Sequence, residues 1–173
     1  RDGDKLIEAR VSTGDNDILL GTRNGKSIRF SEEQIRPSGR KTMGVKGITL
    51  SSEDDRLVGM LLIKREGTTV LVATEKGFGK RTEISQYRAQ KRGGKGVLTM
   101  KTTDKVGKMV TIKEVVDKDD LMIITNQGVL IRQPVSQIRA IGRATQGVKL
   151  IKLGEGTLVS SITRIMSEED SGD

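Results

Sequence analysis

The sequence predicts an all-β, propeller-like array of four-stranded blades, on three observations. One unit is written three times: Gly25, Gly77 and Gly128 fall at steps of 52 and 51 residues, and the sets Thr22, Thr74, Thr125; Ile35, Tyr87, Ile138; Arg40, Arg92, Arg143; and Gly44, Gly96, Gly147 keep that spacing. Several columns at one offset define a repeat architecture. Each unit also holds short apolar or alternating runs bounded by turn residues, without a convincing helix. Finally, a unit of roughly 50 residues is too small to bury a core of its own, so neighbours must cover one another. Blades of a propeller have all three properties.

Taken along the chain, residues 6–11 read as the last strand of a preceding blade whose earlier part is absent, within a leading segment 1–16. Blades are expected over 17–66, 67–118 and 119–166, followed by an acidic tail, 167–173. Each blade opens on a short apolar run, at 18–20, 70–73 and 121–124, too short for a typical helix and so read as a buried strand. A tight turn follows, Arg23-Asn24-Gly25-Lys26 in the first unit and its equivalents around Gly77 and Gly128; glycine reaches positive φ without a Cβ penalty, and Asn-Gly is a strong hairpin signal. Second strands return over 27–30, 79–82 and 129–132. A polar stretch ending at Ile35, Tyr87 or Ile138 leads into an arginine- and glycine-containing segment. A third alternating stretch then begins at Val45, Val97 or Val148, and a fourth strand lies at 57–63, 109–115 and 158–165.

Composition narrows the chemistry. Only Phe30, Phe78 and Tyr87 are aromatic, so the core must come from Ile, Leu, Val and Met. The absence of cysteine and histidine excludes disulfides, a Ser-His-Asp triad, a Cys-His dyad and nearly every zinc site, and is compatible with a reducing compartment. No apolar run approaches membrane-spanning length, and the first residues do not resemble a signal peptide. Because Arg1 is not an initiator methionine, a processed product or excised fragment is expected. The formal net charge is +8, but the last seven residues carry four acids and no base, leaving +12 on residues 1–166. A basic body with an acidic tail points to a polyanion partner and to a tail that competes for the same surface.

The densest basic region contains Gln90-Lys91-Arg92-Gly93-Gly94-Lys95-Gly96. From position 76 to 113 there are 11 bases against Glu83 and Asp104. Adjacent glycines let backbone approach a bulky ligand, and the cations suit a ladder of phosphates. A nucleotide-binding P-loop is disfavoured, because Lys95 is followed by Gly96 rather than Ser or Thr. The sister loops keep part of the design in Arg36, Arg40, Lys41 and Lys46, and in Arg139, Arg143, Lys149 and Lys152. If equivalent positions recur on consecutive blades, these cations form a stripe along one rim. Three aromatics cannot supply the stacking platforms of a single-strand reader, so the stripe should meet duplex phosphates with little base specificity. The acidic clusters at Asp15 and Asp17, 53–55 and 117–120 lack the spacing of a calcium loop and read as solvated turns. Tyr87, whose sisters are isoleucines, reads as a packing residue. No catalytic residue, metal site or cofactor is assigned.

The run from Ile84 to Gly96, and above all its last seven residues, resembles the signature box of the C-terminal domain of the DNA gyrase A protein, usually QRRGGKG; Lys91 for Arg is the sole departure. Gly39-Arg40-Lys41-Thr42-Met43-Gly44-Val45 and Gly142-Arg143-Ala144-Thr145-Gln146-Gly147-Val148 look like that family's degenerate blade loops, so the resemblance covers essentially the whole chain. It implies a β-pinwheel, a propeller variant whose blades exchange strands and around which duplex DNA is wrapped with positive handedness. The family's complete domain has about six blades with its principal box on the first, so this chain is expected to hold the last three blades and a second copy of the box.

The resemblance places duplex DNA on Arg88, Gln90, Lys91, Arg92, Gly93, Gly94, Lys95 and Gly96, with Arg40, Lys41, Lys46, Arg143 and Lys149 on the sister loops. Its implied partners are the remainder of gyrase A and the gyrase B protein, and its implied location is cytoplasmic and nucleoid-associated. The alternatives are the equivalent domain of the A-type protein of topoisomerase IV, whose box is usually degraded, and a protein-interaction propeller docking an acidic partner. Open edge strands further predict self-association of the isolated fragment.

Overall fold

The structure, a computed structural model, describes residues 3–64 and 67–166. Among these residues there is no α-helix, as the sequence predicts; eleven strands form three antiparallel sheets, two of four strands and one of three, where four-stranded blades throughout were expected. The first sheet contains β1 (Asp17–Thr22), β2 (Lys26–Ser31) and β3 (Leu57–Ile63); the second, β4 (Thr69–Thr74), β5 (Phe78–Glu83) and β7 (Met109–Val115); the third, β8 (Asp120–Thr125), β9 (Leu130–Pro134) and β11 (Val159–Ile165). In every unit the hairpin is flanked by the unit's last strand, which pairs with the first strand: β3 with β1, β7 with β4 and β11 with β8.

The remaining two strands are exchanged between units. β6 (Val97–Leu98) belongs by sequence to the second unit yet pairs with β2 of the first, Ser27 opposite Val97. β10 (Val148–Lys149) of the third unit likewise pairs with β5 of the second. These third strands are only two residues long, much shorter than the alternating stretches expected from sequence. The residues beyond them dock on a hairpin turn instead: the Thr99 and Met100 amides donate to Gly25 O at 2.8 and 3.2 Å, and the Leu150 and Ile151 amides to Gly77 O at 2.9 and 3.3 Å. Gly25 is therefore required twice, for a φ of +83° and because a Cβ there would lie 2.1 Å from Met100 O.

Packing follows the same logic of shared cover. Successive β-strand residues point to opposite faces, so Val70 and Val72 of β4 pack with Leu19, Leu61, Tyr87 and Ile112 toward the first unit. Leu71 and Ala73 pack with Leu121, Ile123, Val135 and Ile138 toward the third. All six residues of β4 are consequently buried, whereas β8 alternates.

Two expected features differ. Residues 6–11 form no strand, and Leu6 and Val11 are 87% and 88% exposed. In each of the three units the last strand pairs with the first strand of its own unit, and residues 6–11 pair with none of the described strands. The exchange segment of the first unit, Val45 and Lys46, likewise lies exposed and outside any sheet. The expected acidic tail lies outside the described residues.

Candidate nucleic-acid interface

Each second strand ends in a single 3-10 turn, Glu32–Gln34, Ile84–Gln86 or Val135–Gln137, closed by the amide of the next residue. That next residue plugs the junction between units. Tyr87 and Ile138 are buried, with the Tyr87 hydroxyl 2.7 Å from Thr99 Oγ1; Ile35 is exposed. Tyr87 therefore packs, and burial pushes its hydroxyl above the usual range. The chain then enters the cation-bearing loop, and in the second and third units that loop lies against the unit before it.

The box is held by the first unit almost atom by atom. The Gln90 amide donates to Arg29 O at 2.8 Å and the Gly93 amide to Gly47 O at 2.8 Å. Thr49 donates its amide to Gly94 O at 2.9 Å and its hydroxyl to Gly93 O at 2.7 Å. Gly96, at φ +68°, closes the loop so tightly that a Cβ would meet Ser27 O at 2.3 Å. The glycines were expected to bring backbone close to a ligand; several of their polar groups instead meet the neighbouring unit, because the exchange of β6 carries the whole loop across the junction.

The two box-type arginines are similarly engaged. Arg92 donates Nε to Gln34 O at 3.1 Å and Nη1 to Lys46 O at 2.7 Å. Arg143 repeats the second contact one unit later, Nη1 to Leu98 O. Their guanidinium groups join adjacent units, a use the sequence did not reveal because the partners are carbonyls.

Lys91, Lys95 and Arg88 of the second loop, Arg40, Lys41 and Lys46 of the first, and Lys149 of the third are exposed. Lys46 runs beside the box, its Cδ 3.9 Å from the ideal Cβ position of Gly93. Lys149 lies with its Nζ 5.6 Å from the centroid of the Phe78 ring, a cation–π contact. The contacts of Gln34 and Lys46 with the second loop, and of Gln86 and Leu98 with the third, place the loops in succession along one edge. The stripe is interrupted where the second unit carries Leu98 at the position held by Lys46 and Lys149 in its sisters.

Two further features are not foreseen from sequence. Arg29, Arg81 and Arg132 repeat at the 52 and 51 spacing, a signal that was available, and pair with Asp17, Asp117 and Asp120. Arg29 also donates to Tyr87 O at 3.1 Å and Arg81 to Ile138 O at 2.7 Å, joining consecutive units. The acidic clusters, expected as solvated turns, divide: Asp15, Glu53, Asp54 and Asp117 are exposed at turns or bends, whereas Asp17, Asp119 and Asp120 are buried or half-buried and serve the structure. Asp55 is buried too; burial alone would raise its carboxyl, but hydrogen bonds from the Ser51 hydroxyl and the Asn24 and Ser51 amides hold it below the ordinary range.

The other missed residue is Lys80, fully buried where the sisters have Ile28 and Ile131. Its ammonium donates to Gly142 O at 2.8 Å, Thr145 Oγ1 at 3.0 Å, Thr145 O at 3.3 Å and Arg143 O, and so organises the third loop. Burial, with the Arg143 charge second, lowers it to about 8.

Among the described residues no group of three or more acidic side chains is placed to hold a metal ion, and no helix is long and apolar enough to cross a membrane.

The family model described as DNA gyrase C-terminal domain, beta-propeller, matches residues 16–64, 68–115 and 119–165, one match per unit. The DNA gyrase A protein of Staphylococcus epidermidis (strain ATCC 12228) is 47% identical over 172 residues, covering 99% of this chain. That of Staphylococcus aureus (strain MRSA252) is 46% identical over 171 residues, covering 98%. The chain spans 19% of the length of these curated relatives. A solved DNA gyrase A C-terminal domain superposes with a TM-score of 0.87 at 24% identity, covering 96% of this chain and 56% of that one. The C-terminal domain of DNA topoisomerase IV gives 0.84 at 25% identity, covering 90% and 48%.

Proposed function

The chain belongs to the DNA gyrase C-terminal domain, beta-propeller family, and from that premise we propose that it is a non-catalytic module that binds duplex DNA and bends or wraps it along the edge formed by its three cation-bearing loops. The observation that carries this reading is the succession of loops: exposed Arg40, Lys41 and Lys46, then Arg88, Lys91 and Lys95, then Lys149, with the second and third loops each docked on the unit before. A duplex presents one negative charge per about 1.7 Å of axis, and cations spaced along a rigid edge neutralise several of them and release counterions. Smooth bending of a short duplex costs on the order of 1–6 kcal/mol, which phosphate contacts on successive loops offset.

In this reading Lys91 and Lys95 are the principal phosphate contacts, and Arg92 and Arg143 contribute charge from positions fixed by carbonyls. Binding needs no cofactor of its own and shows little preference for base sequence, because no base-reading side chain is required. The module acts within a longer gyrase A protein, together with gyrase B, in the cytoplasm at the nucleoid. The intact Gly93-Gly94-Lys95-Gly96 favours gyrase over topoisomerase IV, and the acidic tail is proposed to compete for the rim.

The test is the salt dependence of binding to duplexes of unrelated sequence. Lys91→Gln with Lys95→Gln is expected to weaken binding to all of them alike and to flatten the slope of log K against log salt by about 0.9 per lost contact. An unchanged slope would remove these lysines from the interface. Retention of an acidic protein that DNA fails to displace would favour the protein-docking alternative.

A further inference from the structure

One side chain at each junction belongs neither to the charge stripe nor to the core. Gln34, exposed at the end of the first 3-10 turn, accepts a hydrogen bond from the Arg92 amide at its Oε1, 2.7 Å away, and donates Nε2 to Gln90 O at 3.4 Å. It reads the backbone on both sides of Lys91 as an adjacent strand would. Gln86, one repeat later, accepts from the Arg143 amide at 3.1 Å. Both side chains are exposed, so burial does not explain why a glutamine stands at the two positions.

We propose that Gln34 and Gln86 are positioning residues for the rim: each lies in one unit and sets the backbone of the cation-bearing loop of the next. The amide that each one holds belongs to the arginine that joins the same two units, Arg92 onto Gln34 O and Lys46 O, Arg143 onto Leu98 O. Glutamine and arginine thus form a reciprocal clasp. The glutamine side chain fixes the arginine's backbone, and the arginine side chain fixes backbone of the glutamine's unit. Lys91 stands within the clasped segment, so a residue 57 positions earlier in the chain helps to set its place on the rim, beside the backbone contacts of Gln90 and Gly93. The consequence is that the spacing of cations between consecutive blades is built into the junction and does not depend on how a single loop folds. Gln137 occupies the same position in the third unit, where the loop of a fourth would dock.

The proposal rests on the duplex-binding reading but is tested separately from it. Amide hydrogen exchange of the free chain is measured by NMR for the unaltered protein, Gln34→Ala and Gln34→Glu. The salt dependence of binding to a fluorescein-labelled duplex is measured for the same set and for Lys91→Gln. Gln34→Ala is expected to speed exchange of the Arg92 amide about tenfold while leaving the β1–β2 hairpin amides protected. It should also weaken duplex binding about five- to tenfold with an unaltered salt slope, because no cation is lost. Gln34→Glu, which keeps the acceptor oxygen, should restore protection of the Arg92 amide. Lys91→Gln should change the slope and not the exchange. Unaltered Arg92 exchange in Gln34→Ala would overturn the proposal, as would a slope change equal to that of Lys91→Gln. Absence of duplex binding by the unaltered chain would sink the DNA reading alone, and the exchange data would still decide whether Gln34 holds the loop.

Discussion

A cation's role in this chain depends on what its last atoms touch. Arg29, Arg81, Arg92 and Arg143 all reach carbonyl oxygens of a neighbouring unit, and Lys80 reaches three carbonyls and a hydroxyl. The formal charge of +12 on residues 1–166 therefore overstates what is presented to a polyanion. Arginine suits the junction role because its planar fork bonds two carbonyls at once and stays charged when partly desolvated. Lysine does not share that immunity, and Lys80 yields a pH prediction. Its folded value of about 8 lies below the ordinary 10.5, so between these limits the unfolded chain binds more protons than the folded one and stability rises with pH. Relative to Lys80→Met, the unaltered protein is expected to gain stability as pH increases from about 8 toward 10.5, in denaturant midpoints measured across that window. A difference that stays flat would mean that burial does not disfavour the charged ammonium. The signal for Lys80 in the sequence was a lysine in an isoleucine column, but a column mismatch does not say whether a charge points outward or is buried. Lys91 and Lys95 stand exposed in the glycine-rich, basic surroundings that single them out in the sequence; their role as phosphate contacts is a proposal that rests on that pattern.

The exchange of β6 and β10 turns three hairpin units into one array. It also explains why some strands are legible in the sequence and others are not. β1, β4 and β8 contain apolar runs, and β3 and β7 are seven residues long with a mixed, partly alternating burial, so each writes a local pattern. Two-residue strands have no period to detect, and their partners lie in another unit, which no local pattern encodes. Residues 6–11 show the converse: their apolar positions suggest a strand, but they pair with none of the described strands. Equivalent glycines in the exchange loops should accordingly behave differently. Gly96 and Gly44 both sit at positive φ, +68° and +71°, but a Cβ at Gly96 meets Ser27 O at 2.3 Å and one at Gly44 meets nothing within 4 Å. Gly44→Ala is expected to cost about 1 kcal/mol from the left-handed conformation alone, and Gly96→Ala about 3 kcal/mol or more because backbone must also shift. Chemical denaturation of the two variants checks this, and equal losses would mean that the β2–β6 contact does not constrain the loop.

In the whole molecule a continuous edge is made from discontinuous sequence: three loops about 51 residues apart are set side by side by clasps between adjacent units. A rigid edge of this kind imposes its curvature on a bound duplex, whereas the same cations on independent loops would follow the DNA. The box and the charge were legible in the sequence, but the contacts that join the loops were not, because they lie between residues roughly 50 positions apart. Ligation of nicked plasmid in the presence of the chain, followed by resolution of the linking-number distribution after protein removal, reads out directly whether the edge wraps DNA. Wrapping along a fixed edge predicts a displacement toward positive linking number that disappears with Lys91→Gln and Lys95→Gln. A distribution matching the protein-free control, at concentrations where the duplex is saturated, would contradict it.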